Sequence, residues 1–302
     1  MRASPELVGV NVGGTTTTVV RGDSDGTIVL REPFATEAEG AAAVLYDRIR
    51  AAIENVRTPA TAAVGVAIGG PLDAHRGVVI GTPHLPFIDF PLRERLEADC
   101  GLKVVVHHDA AACALAEWRW GPDAGADGLA YLTCGTGFGV GLVLDGHIRY
   151  GSSGHSPEIG HVRYRDDGPP IWDKPGCFEG FASAKALGLL ARWRDPMRFA
   201  QSTPAQIAEA AQAGDRDAVW VREQNEAAVG AACALLADLL VLDVIVLGSL
   251  ARYLGEPWIE RVRAVFAREA LPANVAHCRL RAPIPDVQDL SGLAAAMDAL
   301  VG

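Results

Sequence analysis

Apolar and polar positions along the chain follow two periods, one near 2 and one near 3.6. Runs near 6–12, 15–21 and 27–32 predict three strands, with "DSDG" (Asp23–Gly26) turning the second into the third. A helix-period stretch follows from Thr36 to Val56, then the apolar strand "AAVGVAIGG" (Ala62–Gly70). A helix near 91–100, the strand "LKVVVHH" (Leu102–His108) and the helix "DAAACALAEW" (Asp109–Trp118) complete the first half. The second half begins the same way, with a strand at Gly128–Gly135 and two more in "FGVGLVLDGHIRY", joined at Asp145-Gly146. Helices are predicted near 179–193, 204–212 and 215–240, then the strand Asp243–Gly248, a helix near 256–270, a strand near 278–282 and a last helix, 289–300. Each half thus reads as three strands followed by alternating helix and strand, an α/β pattern. The Gly-, Pro- and Asp-rich stretch 151–178 reads as an elaborated loop of the length that often carries function.

The length of 302 residues suits two units rather than one. A net charge of −10 argues against non-specific nucleic-acid binding, which needs a basic face. It leaves a nucleotide ligand open, because turns of backbone N–H groups hold phosphate on acidic proteins too. Six cysteines stand at 100, 113, 134, 177, 233 and 278 with no C-x-x-C pair, which predicts reduced thiols and a cytoplasmic setting. Residues Met1–Leu7 carry Arg2 and Glu6 and no signal-peptide pattern. The longest apolar run, Val229–Gly248, contains Asp238 and Asp243, so it reads as a buried helix running into a buried strand and not as a membrane span.

Six stretches carry candidate chemistry. The Gly/Thr turns "GGTTTT" (13–18) and "GTGFG" (135–139) stand at the same place in the two halves. Either is an ordinary tight hairpin turn, or one stripped of bulk so that phosphate oxygens reach backbone N–H groups. Their repetition favours the second reading. "GTGFGVG" is not a dinucleotide fingerprint, since Val140 stands where a glycine belongs and a hairpin follows instead of a helix. In "VVVHHDAAACALAE", Asp109 is placed either to cap the next helix or to act as a base at a strand end. In "PEIGH", Glu158 and His161 are three apart and share a face of any helical turn, as a surface pair, a clamp on a polyhydroxyl ligand or part of a metal site. Glu179 in "GCFEGF" follows a Gly-Cys, precedes a strong helix and reads as a favourable first-turn carboxylate. "VIVLGSLARY" places a Gly-Ser turn between a buried strand and a helix, either a plain strand-to-helix turn or one whose backbone lies against an adenine ring.

Taken in order, these pieces resemble the ROK family of sugar kinases within the actin/hexokinase/Hsp70 ATPase superfamily, from Val8 to about Leu300. "PEIGH" followed by "GCFE" is the most specific part, supported by "GGPLD" (69–73) and by 91–118. The resemblance implies an actin-like, ribonuclease H-like α/β fold of two lobes with a cleft between them, closing to exclude water. It divides the chain into 1–118 with 288–302, and 119–287. It implies ATP-dependent transfer of a γ-phosphate to a primary sugar hydroxyl, with Asp109 as the base. By the same resemblance Glu158, His161 and Glu179, together with His108, Gly70 and His84, fall on sugar contacts. Asn11, Gly13, Gly14, Thr15 and Thr16 fall on the first phosphate turn, Gly135, Thr136 and Gly137 on the second, and Gly248 and Ser249 on the adenosine turn. Mg²⁺ is then carried mainly by ATP near Asn11 and Asp109, and the partners implied are a small sugar and a second copy in a homodimer, with no nucleic acid and no membrane.

Four departures mark the chain as a specialised member. Asn11 stands where the family usually has Asp, and His108 where it usually has Asn. The family's structural zinc takes one His and three Cys; here His161 and Cys177 remain while Pro170 and Trp172 occupy the other positions, so no zinc is expected and the loop is expected to be held by packing of Trp172 and the prolines. "GSLA" has one glycine where the family's adenosine turn has two or three. These changes point to an amino sugar such as kanosamine, as in antibiotic-pathway kinases, since a cationic substrate fits the carboxylates of Asp109, Glu158 and Glu179 provided His108 is neutral. The alternatives are glucose, an N-acetylhexosamine, a C7 cyclitol, or a sugar sensor weakened in catalysis. A ROK-type repressor is disfavoured because the first phosphate strand starts near residue 6.

Overall fold

The computed structural model describes residues 4–37, 40–82 and 84–301. In chain order the first elements are β1 (Glu6–Val12), β2 (Thr16–Asp23), β3 (Ile28–Ala35), α1 (Ala42–Val56), β4 (Thr61–Ile68), β5 (Leu72–Asp73), β6 (Val78–Thr82), β7 (Leu85–Phe90), α2 (Leu92–Cys100), β8 (Lys103–His108) and α3 (Asp109–Trp120). Then come β9 (Gly128–Leu132), β10 (Val140–Leu144), β11 (His147–Ile148), a 3₁₀ turn (Ile159–His161), β12 (Pro170–Ile171), β13 (Lys174–Pro175), α4 (Glu179–Ala182), α5 (Ala184–Arg194), α6 (Pro204–Gln212) and α7 (Arg216–Leu240). The chain ends with β14 (Val244–Leu247), α8 (Ser249–Leu254), α9 (Glu256–Glu269), α10 (Pro272–His277), β15 (Arg279–Arg281) and α11 (Val287–Val301). Two compact units result: Met1–Gly125 with Gly141–Pro157 and Ile284–Gly302, and Ala126–Val140 with Glu158–Pro283.

In the first unit β3, β2, β1, β4 and β8 form one sheet in that order, with β1, β4 and β8 parallel and β2 and β3 antiparallel. Side chains alternate across the sheet with period 2. Val8, Val10 and Val12 of β1, Val64, Val66 and Ile68 of β4, and Val104 and Val106 of β8 enter one core with Leu45, Ile49 and Ile53 of α1 and Leu92 and Leu96 of α2. The intervening positions include Gly9 and Gly65, which are register partners. A Cβ built on Gly9 would lie 2.5 Å from Leu293 N, and one on Gly292 of α11 would lie 2.4 Å from Val10 N. Helix α11 therefore rests backbone-to-backbone on the strands. The hairpin β10–β11 belongs with this unit for a related reason: a Cβ on Gly141 would come 2.0 Å from Ala110 O, and Gly146 faces Trp118. The sequence division ran unbroken from 119 to 287, whereas the contacts place 119–125, 141–157 and 284–287 in the first unit.

In the second unit β14 pairs in parallel with both β9 and β15. Helices α7 and α9 meet where Gly230 lacks a side chain, since a Cβ there would stand 2.5 Å from Val265 Cβ. Buried Asn225 of α7 donates to Phe181 O (2.8 Å) and Ser183 O (3.3 Å) and accepts from Trp258 Nε1 (3.2 Å). A buried amide with all these partners fixes the junction of α4 and α5.

Several sequence expectations change. The first helix starts at Ala42 and not at Thr36, because β3 continues to Ala35 and the buried Thr36 hydroxyl is committed to Gly13 O (2.6 Å). The helix expected at 179–193 is two helices, broken where Ser183 caps α5 by accepting from Ala186 N (3.0 Å). The three-stranded sheet of β5, β6 and β7 and the short helix α10 were not expected. Trp172 does not pack the 151–178 loop: it is 66% exposed at the turn of the β12–β13 hairpin, where Trp172 and Asp173 both have positive φ (52° and 59°).

Candidate functional site

Parallel strands end on the same side of a sheet, and ligands of α/β proteins gather there. In the first unit one register row runs from Val12 through Ile68 to His108. The residues just past that row are the turn beginning at Gly13, the segment Gly69-Gly70 and Asp109. The topology thus brings three separate sequence motifs to neighbouring strand ends.

The first turn is tight. Gly13 N donates to Thr16 O (3.1 Å), and a Cβ on Gly13 would stand 2.8 Å from that same oxygen. Thr36, which sequence reading missed, holds the turn from below: its hydroxyl donates to Gly13 O, its N–H donates to Thr15 O (2.9 Å), and it contacts Thr17 Oγ1 at 3.0 Å. The amides of Gly14 and Thr15 donate to no described residue. Asn11 lies in β1 opposite Thr18, just before this turn. His84, expected at the sugar, sits against the turn: a Cβ on Gly14 would be 3.2 Å from His84 Cβ.

Asp109 is the first residue of α3, and the cap position belongs to His108, whose side chain makes no capping bond. The Asp109 carboxylate is therefore not used as a cap. Its Oδ1 accepts from Ala110 N (2.6 Å) and lies 3.2 Å from His108 Nδ1, and the side chain is 44% exposed. The His108 ring lies over Gly70, where a Cβ would approach Cδ2 to 2.9 Å. Glycine at 70 makes room for the imidazole.

A half-buried relay stands behind His108. Tyr150 Oη accepts from His108 N (3.2 Å) and donates to His107 Nδ1 (3.1 Å). His107 Nε2 donates to Asp298 (3.1 Å), which also accepts from Arg119 (2.6 Å). Burial pushes the Tyr150 hydroxyl far up. Burial also works against the Asp298 carboxylate, yet His107 and Arg119 hold it below the usual range. Neither Tyr150 nor Asp298 stands in a recognisable motif, and only the tertiary fold joins positions so far apart in sequence. Tyr150→Phe removes an acceptor and a donor from a half-buried network and is expected to lower stability by about 1–3 kcal/mol. A denaturant melt measures this.

The second unit repeats this logic. The turn 133–139 is closed by Thr133 N to Gly139 O (3.0 Å), Gly139 N to Thr133 Oγ1 (2.9 Å) and Gly135 N to Gly137 O (3.0 Å). Here too two amides, Thr136 and Gly137, donate to no described residue. Gly248 N donates to Leu132 O (2.7 Å) and Ser249 N to Thr133 O (2.9 Å), and a Cβ on Gly248 would lie 2.5 Å from Thr133 O. The adenosine-turn candidates therefore lie against the second phosphate-turn candidate.

Glu158 precedes the 3₁₀ turn whose third residue is His161, and both are exposed. Gly160 of that turn packs on α4, since a Cβ there would be 3.4 Å from Glu179 Cβ. Glu179 Oε2 accepts from Phe138 N (3.1 Å). Among the described residues no three His, Cys, Asp or Glu side chains converge as a metal site. Cys177 is buried, and Arg163 bridges to it through the backbone. No described helix is long and apolar enough to cross a membrane.

Comparison with known proteins follows the same lines. The family model described as the ROK family matches residues 7–296. A glucokinase of Halalkalibacterium halodurans is 29% identical over 284 residues, covering 88% of this chain and 86% of that protein. A glucokinase of Streptomyces coelicolor is 34% identical over 189 residues, covering 62% of this chain and 59% of that protein. The crystal structure of a ROK family glucokinase from Streptomyces griseus in complex with glucose and AMPPNP superposes with a TM-score of 0.80 at 28% identity, covering 98% of this chain and 100% of that one. The fold is the mixed α/β, actin-like ATPase fold of ROK kinase structures such as this one.

Proposed function

The chain belongs to the ROK family and is a carbohydrate kinase, and from that premise we propose that it transfers the γ-phosphate of ATP to the primary (6-) hydroxyl of a hexose or amino-hexose, with Asp109 as general base. The observation that carries the assignment of the base is the carboxylate itself. It opens α3 at the end of β8, on the same side of the sheet as the first Gly/Thr turn, is half-exposed, and is not used as a helix cap.

A sugar hydroxyl is a poor nucleophile at neutral pH, and a carboxylate within hydrogen-bond reach takes its proton as it attacks, worth roughly 10²–10⁴-fold in rate. The amides of Gly14 and Thr15 in the first unit, and of Thr136 and Gly137 in the second, supply donors for phosphate oxygens. Gly248 and Ser249 supply backbone for the adenosine end. Glu158, His161 and Glu179 accept from or donate to sugar hydroxyls, and His108 and Gly70 are proposed as further sugar contacts. Asn11 and Asp109 are oxygen donors of the kind Mg²⁺ prefers, and at the strand ends they would hold an ion carried by the phosphates of ATP, which neutralises phosphate charge.

His108, where relatives usually have Asn, supports a substrate other than plain glucose, and the carboxylates of Asp109, Glu158 and Glu179 suit a cationic amino sugar of the kanosamine type. Turnover measured across glucose, kanosamine, N-acetylmannosamine and a valiolone-type cyclitol, with product regiochemistry by NMR, tests both levels. The expected result is phosphorylation at the primary hydroxyl with the highest kcat/KM for the amino sugar. A clear preference for glucose ends the amino-sugar assignment, and absence of sugar-dependent ADP formation ends the kinase mechanism for this chain.

A further inference from the structure

Glu179 is held in a way that a sugar contact alone does not require. Its Oε2 accepts the Phe138 N–H at 3.1 Å, and a Cβ on Gly137 would meet that same oxygen at 3.1 Å. The carboxylate thus lies along the backbone of the second turn, at the peptide next to the two amides left for a ligand. The other end of the turn is tied to the same helical pair, since Gly135 O accepts from Ala184 N at 2.8 Å. Glu179 O accepts from Ser183 Oγ (2.9 Å), and Ser183 is fixed in turn by Asn225, so the base of the side chain is rigidly seated. The "PEIGH" turn closes the third side: a Cβ on Gly160 would come 2.3 Å from Phe138 O.

We propose that Glu179 is a shared residue of the second unit, positioning the nucleotide turn through Oε2 while its remaining acceptor capacity serves the sugar. Nucleotide affinity then depends on Glu179 even when no sugar is bound, and the affinities for the two substrates are coupled through it. A carboxylate oxygen has two lone-pair directions and a carboxylate two oxygens, so one bond to Phe138 N leaves acceptors for a hydroxyl. Coupling of this kind is reciprocal, so a sugar that raises ATP affinity through the Glu179–Phe138 contact has its own affinity raised by ATP by the same factor. The inference rests on the kinase reading but concerns a role that a sugar contact does not imply.

The test is calorimetric titration of AMPPNP with Mg²⁺ into sugar-free wild-type protein, Glu179→Ala and Glu179→Gln, each checked by thermal melt. Glutamine keeps a carbonyl oxygen for the Phe138 N–H but offers an amide to the sugar. The expected result is a rise in the AMPPNP Kd of about 10-fold or more for Glu179→Ala, consistent with loss of one charge-assisted hydrogen bond. Glu179→Gln is expected to stay within about 3-fold of wild type for AMPPNP, by the same reasoning, while its KM for sugar rises. An unchanged AMPPNP Kd in Glu179→Ala overturns the shared role and leaves Glu179 a sugar contact only. Equal losses in both variants also overturn it, because glutamine retains the acceptor. Wild-type protein that fails to bind AMPPNP overturns the kinase reading itself, and this inference with it.

Discussion

Asp109→Asn is expected to cut sugar-dependent ATP turnover by roughly 10²–10⁴-fold, the usual contribution of a general base. The substitution is isosteric. The amide oxygen of asparagine can still accept from Ala110 N, the 2.6 Å bond that Oδ1 makes now, and the side chain is 44% exposed, so no buried charge is stranded. What is lost is the proton affinity of the carboxylate. The cost to stability is limited to one carboxylate at a helix N-terminus, typically about 0.3–1 kcal/mol. A coupled ADP assay with saturating sugar reads the turnover, and a thermal melt run alongside shows that the fold is kept. The AMPPNP Kd is expected to change little, which separates loss of chemistry from loss of binding. Turnover equal to wild type would show that another group accepts the proton, and His108, whose Nδ1 is 3.2 Å from Asp109 Oδ1, would be the next to replace.

The strands and helices that build this site were legible because local signals determine them. Alternating valines mark β1, a run of three valines marks β8, and Asp109 opens α3 directly after β8. The turns at 13–16 and 133–139 were legible from composition, since only residues without bulk fit a Cβ-to-carbonyl spacing as short as that at Gly13. What sequence could not supply is set by distant partners. Thr36 reads as a helix start by period, yet its hydroxyl is fixed by Gly13 and Thr17 on neighbouring strands. Strands β5 and β6 are two and five residues long and contain Asp, Gly and Thr in place of a clear alternation, and only pairing to β7 makes them a sheet. The break at Ser183 falls inside an apolar stretch with good helix period. It exists because Asn225, far along the chain, satisfies the Phe181 carbonyl that a continuous helix would have used, while Ala184 N and Lys185 N donate to Gly135 O. Trp172 was expected to be buried because it is large and apolar, but a two-residue turn with positive φ at both positions leaves its side chain pointing out. Site assignments based on residue type were therefore easier to make than assignments of the residues that hold them.

The glycines under α11 give the largest expected effect on stability. Gly65→Ala adds one methyl group, and its carbon would lie 2.1 Å from Ala296 N, 2.2 Å from Gly292 O and 2.6 Å from Ala295 C. All three neighbours are backbone, so no rotamer change relieves the contact, and the helix must lift from the strands. Lifting it opens space along β1 and β4 together, because Gly9 and Gly65 are register partners and both face the same turn of the helix. Overpacking a close-packed interface costs about 1–3 kcal/mol and more where the backbone must shift, so a loss of about 3 kcal/mol or more is expected. The functional consequence follows from geometry: β4 leads directly to Gly69-Gly70, and α11 carries Asp298, the acid of the Tyr150 relay behind His108. Gly81→Ala is the matched control, since nothing lies within 4 Å of a Cβ there. It removes the same backbone freedom from the unfolded chain without a clash, and its effect is expected to stay within about 0.5 kcal/mol. Denaturant melts of the two variants against wild type decide the matter. Equal midpoints for Gly65→Ala and Gly81→Ala would show that α11 does not rest on the sheet through its backbone.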